Sequence, residues 1–141
     1  MKKLIFLSLF LFSKTFAFEN TKIDFENFSL NKYEITIQEF KNYAKKNNIV
    51  TEAEKTGGGY EWGVGWEKRP GWTYKTPYGE HPNSELEPAV HISRYEAENY
   101  CKSINGKLPT FDEWSYAAYQ QIFESSEFEK GKVYKYPSGD E

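Results

Sequence analysis

Most of the chemical potential of this 141-residue chain rests on one cysteine, two histidines and a cluster of tryptophans. Cys101 is the sole thiol, so it forms no internal disulfide and lacks the partner that intramolecular thiol redox chemistry needs. A nucleophilic cysteine also needs a cation close by to hold the thiolate. The nearest, Lys102, points about 100° away around a helix. Cys101 shares a helical face with Ala97 and Ile104, which reads as a small packing residue. His81 and His91 raise the question of a metal, but a site takes three or four ligands at suitable spacing. No His-x-x-His or Cys-x-x-Cys occurs, and no metal ligand is assigned. His91 is placed at a strand end before a helix cap, where bonding to backbone is the ordinary role. His81 lies in a Gly/Trp-rich stretch and is the histidine better placed to touch a ligand. Trp62, Trp66, Trp72 and Tyr74 have the composition of a binding surface, because aromatics stack on ligands and partners. Their bland role is to pin an irregular segment onto the body of the protein. The ligand-binding candidates are therefore Trp62, Trp66, Trp72, Tyr74 and His81. No catalytic residue is assigned. Glu96 and Glu113 read as helix-cap partners, and Asp112 and Asp140 as surface carboxylates. Gly57-Gly58-Gly59 lacks the Lys-Ser/Thr of a phosphate loop.

The elements that must position these residues announce themselves by their caps. Thr36 with Glu39, Ser93 with Glu96 and Thr110 with Glu113 each have the Ser/Thr-x-x-Glu spacing that satisfies backbone N–H groups at a helix start. Behind the first, Ile37, Phe40 and Ala44 form one apolar face, and Asn47-Asn48 is the stop. Behind the second come Ala97, Tyr100, Cys101 and Ile104, with Gly106 at the left-handed terminal position. Behind the third come Phe111, Trp114, Ala118 and Ile122, with Pro109 blocking propagation backwards. A fourth match, Thr51 with Glu54, runs straight into the glycines and predicts a turn or a single helical turn. Phe28 to Ile35 alternates loosely and predicts a strand. Gly57 to Pro88 carries neither helix nor strand pattern. Such a long irregular stretch is unusual in a compact domain and is often functional.

The chain starts with Lys2-Lys3, an apolar run from Leu4 to Phe12, and small residues at Thr15 and Ala17. Residues 1–17 therefore read as a secretory signal peptide, and the run is short of the roughly 20 residues a bilayer span needs. Residues 18–141 make one domain, located in the periplasm or secreted, with no stable membrane span once the leader is cut. With 11 Tyr, 11 Phe and 4 Trp the domain is too aromatic to be disordered. A net charge of −3 without a basic patch argues against a nucleic-acid partner.

Five blocks together resemble the sulfatase-modifying-factor family, the formylglycine-generating-enzyme-like domain. They are Lys32-Tyr33-Glu34-Ile35-Thr36 with Glu39-Phe40; Val50 to Lys55 followed by glycines and tryptophans; Pro88 to Ser93 with Glu96-Ala97 and Tyr100-Cys101; Gly106 to Thr110 with Asp112-Glu113-Trp114 and Tyr116-Ala117-Ala118; and Tyr136 to Glu141. They run in the family's order over most of residues 30–141. Arg94, Lys102 and Ser138 depart from it where family members commonly carry Trp.

The resemblance implies an α+β fold with much irregular backbone, short helices and small antiparallel sheets, related to the C-type-lectin-like topology. It also implies that only the N-terminal part of the domain is here, since the family's domain continues roughly as far again. The family's catalytic cysteine pair, which binds copper in the aerobic enzymes, and its calcium site lie in that further part. No cofactor is assigned to this chain, and Cys101 matches the family's helix cysteine, not the catalytic pair. The expected chain is thus a truncated gene product, a fragment or one piece of a two-part protein. The function implied is that of a relative of enzymes that oxidise a substrate cysteine to formylglycine, inactive alone. The alternative is a non-catalytic envelope binding or structural protein using the Gly/Trp-rich loop. The partner is a polypeptide substrate or an envelope protein.

Overall fold

The computed structural model describes residues 21–123 and 125–140. The predicted signal peptide lies outside the described residues. Among those described, no helix is long and apolar enough to cross a membrane. The elements run β1 (Lys22–Asp24), β2 (Ser29–Asn31), α1 (Ile37–Lys46), α2 (Glu52–Thr56), β3 (Gly58–Trp62), β4 (Trp66–Pro70), α3 (Arg94–Ser103) and α4 (Phe111–Tyr119). β1 pairs antiparallel with β2, and β3 with β4. This is the mixed α+β architecture the sequence predicts.

All four helices begin with a complete capping box: each cap hydroxyl accepts from the backbone N–H of the Glu three residues on, and each Glu accepts in return. The Thr51 box, expected to support a turn or one helical turn, starts the five-residue α2. Gly57 ends that helix in the left-handed conformation, φ 81°, which a residue without Cβ adopts at little cost.

The core gathers on α1. Ile37, Phe40 and Ala44 are buried, and they pack with Tyr74 from the loop after β4 and Tyr100 from α3. Phe40 meets Tyr74 edge-on at 4.9 Å, and Tyr100 meets Tyr43 edge-on at 5.3 Å, the arrangement the ring quadrupoles favour. Backbone hydrogen bonds hold the chain around Glu85–Ala89 along the start of α1: Ile37 N–H donates to Glu87 O at 2.8 Å, and Ala89 N–H to Ile35 O at 2.8 Å. Glu96 both caps α3 and accepts from the Glu52 N–H of α2 at 2.7 Å, which joins the two helix starts.

Four expectations are corrected. The predicted strand Phe28 to Ile35 contracts to the three residues of β2, which pair with only the three residues of β1, and Phe28 stacks on Phe25 at 4.6 Å in the turn between them. The stretch from Gly57 is not irregular throughout: its first part is the β3–β4 hairpin. Asn105, not Gly106, takes the left-handed position after α3, with φ 57°. Asn tolerates that conformation because its short amide bonds locally. α4 ends at Tyr119, so Ile122 falls beyond it, and none of its residues is buried. Phe111 is 82% exposed at its start.

Candidate functional site

The five ligand-binding candidates do not converge. Tyr74 is 1% exposed and belongs to the core, so it has no surface to offer a ligand. Trp72 is half-buried, with Tyr78 edge-on at 5.5 Å and the His91 ring at 5.5 Å. Gly79 lies beneath it, close enough that a Cβ there would stand 3.1 Å from the indole nitrogen. His81 is exposed on the loop beyond. Only Trp62 and Trp66 form a pair. They face each other across the end of the β3–β4 hairpin, centroids 5.4 Å apart and planes at 74°. They are 63% and 70% exposed.

His91 occupies no strand end. It sits in a bend at φ 55°, and its Nε2 lies 2.8 Å from the Pro77 carbonyl oxygen. The expected backbone bond is present, and the left-handed turn aims the ring at Gly59, where a Cβ would lie 2.3 Å from Nδ1. His91 is thus the peg that fixes the base of the hairpin and the flank of Trp72.

Cys101 lies half-buried on α3, on the wall of an apolar groove of about 620 Å³. Leu30, Ile35, Val90, Ile92, Leu108 and Trp114 supply much of the rest of the wall. Burial pushes the Cys101 thiol above its ordinary value, so the protonated form prevails at neutral pH and the sulfur is a poor nucleophile. Burial, then the Glu39 charge, pushes Tyr100 up to about 12. Burial acts to raise Glu54 as well, but the Lys75 ammonium at 2.5 Å and the Thr51 donors outweigh it and hold the carboxyl below its usual range. Asp140 is held low by Lys132 at 2.7 Å, and Glu113 by Lys107 and the Thr110 N–H. These carboxylates are occupied by structure.

Among the described residues no three His, Cys, Asp or Glu side chains converge as metal ligands do. The copper implied by the resemblance therefore finds no fitting donor set here, since Cys101 has no second thiol.

Val64, Tyr60 and Lys68 are not among the five candidates read from the sequence. Their signal is Tyr-x-Trp-Gly-Val-Gly-Trp-x-Lys, an alternation broken by a Gly-containing three-residue loop, which is a hairpin pattern.

Capped short helices, two-stranded sheets and a Gly/Trp hairpin define a small α+β domain. The match of a family model over residues 10–140 gives its class: the chain belongs to the sulfatase-modifying factor enzyme 1-like domain family. No curated protein matches it.

Proposed function

We propose that this chain is an exported scaffold of the sulfatase-modifying-factor type that does not itself oxidise cysteine. Its topology on this reading is related to that of C-type-lectin-like domains. The observation that carries the proposal is the state of its only thiol. Converting a substrate cysteine to formylglycine by the family's copper chemistry takes a cysteine pair, and this sequence holds one cysteine. That one is half-buried, with its thiol pushed towards the neutral form. Copper and calcium on this reading belong to residues this sequence does not contain. The chain supplies scaffold and part of the surface that meets a polypeptide partner in the periplasm or outside the cell.

A second reading is favoured by the Trp62–Trp66 pair. A non-catalytic protein of the cell envelope would use that exposed pair for binding, and it needs no reactive thiol.

The test is to incubate the purified chain with a sulfatase-derived peptide carrying the target cysteine, dioxygen and copper. The peptide is expected to keep its thiol. An aldehyde on the peptide would overturn the proposal.

A further inference from the structure

We propose that the tip of the β3–β4 hairpin is a bilayer-docking element, inserting Val64 and the Trp62–Trp66 pair into the interface of a zwitterionic lipid surface. This goes beyond the scaffold reading and does not depend on it.

The hairpin is amphipathic across its two faces. Trp62 pairs with Trp66 and Tyr60 with Lys68, so these four share one face. Gly59 with Arg69 and Glu61 with Glu67 share the other. That second face is occupied: Arg69 bonds Glu61 at 2.8 Å and Glu67 at 3.1 Å, and Gly59 abuts His91. The aromatic face is open, with Tyr60 57% exposed and the two tryptophans more so. Val64, at the apex between two glycines, is fully exposed at 102%. Apart from its own partner strand, the element β3 chiefly contacts is α2.

The order of residue types along the hairpin matches the order of layers in a bilayer surface. An aliphatic side chain stands foremost, and an indole pair follows. Tyr60 and Lys68 come two residues further back, about 7 Å along an extended strand. Indoles and phenols favour the membrane–water interface, and interfacial elements bury about 5–10 Å of depth. The Lys68 ammonium donates to Thr56 O at 2.5 Å, which leaves two of its three N–H groups for a lipid phosphate.

The charges near the tip choose the kind of surface. Glu61 and Glu67 are offset by Lys68 and Arg69, so the tip is neutral and has no reason to select anionic lipid. The shape argues against a soluble ligand. The tip is convex: Val64 is fully exposed at its apex and the two tryptophans are exposed for most of their surface. Rings at 74° offer no pair of parallel faces for a flat molecule. A bilayer asks for neither a cavity nor a matched shape.

The experiment is flotation and tryptophan emission of the full chain with phosphatidylcholine vesicles, at low and high salt. The expected result is vesicle binding with a blue shift, unaffected by salt or by added anionic lipid. Val64→Asp should weaken binding by about tenfold or more, since a charge there opposes insertion. That variant changes a fully exposed side chain, so the fold has no cause to respond. Phe111→Asp, on the exposed start of α4, should bind as the parent does. The proposal is overturned if the parent chain does not bind. Binding only to anionic vesicles, undiminished binding by Val64→Asp, or loss with Phe111→Asp alone would overturn it too. So would quenching of the tip tryptophans by a soluble polypeptide or oligosaccharide with no response to vesicles.

Discussion

The imidazole of His91 lies where a β-carbon on residue 59 would have to sit. Gly59→Ala would bring that carbon 2.3 Å from Nδ1, and the ring cannot retreat without losing its contact with Pro77 O. Overpacking of this kind costs about 1–3 kcal/mol. In His91→Ala the same glycine substitution should cost far less, so a double-mutant cycle in urea is expected to show coupling of about 1 kcal/mol or more. Additive losses would mean the two residues do not touch in solution. This contact could not be read from the sequence. Residues 59 and 91 are far apart along the chain, and only the positive φ of His91 turns the ring inward. The capping boxes could be read, because all their partners lie three residues apart.

At the scale of elements, α1 and α4 have similar patterns on paper and opposite fates. The apolar face of α1 is covered by Tyr74 and Tyr100, whereas α4 has no buried residue. Phe40→Ala should therefore cost about 3–5 kcal/mol, the usual range for an aromatic lost from a core. Phe111→Ala should stay within about 0.5 kcal/mol, as exposed positions do. Equal losses in the urea midpoint would contradict the placement of the core. Helix periodicity located both faces but could not tell which one finds a partner, since burial depends on distant segments. The same limit explains the ligand-binding candidates. Composition singled out Trp62, Trp66, Trp72 and Tyr74 alike, yet the hairpin register sends two of them outward while the turns after it fold the other two inward. The hairpin itself was concealed by glycines and prolines, which read as loop when counted and as turn and strand end when placed.

The whole molecule is held by a small aromatic core containing tyrosines, and this sets its response to alkali. Burial pushes Tyr100 from the ordinary 10.0 up to about 12, and Tyr74 is raised too, chiefly by burial. A neutral form favoured by the fold gives stability that is complete below the ordinary value and is lost as pH rises towards the folded one. The urea midpoint should thus fall as pH climbs from about 10 to about 12, and Tyr100→Phe should flatten that fall. An unchanged slope in the variant would show that other groups govern it. The proposed scaffold role rests on the one thiol of this chain, Cys101, being a half-buried packing group on α3. The pH dependence of Cys101 alkylation tests that claim most directly. Modification is expected to be slow at neutral pH, with a midpoint above the ordinary cysteine value, as burial dictates. Rapid modification with a midpoint near or below neutrality would reveal a stabilised thiolate and contradict it.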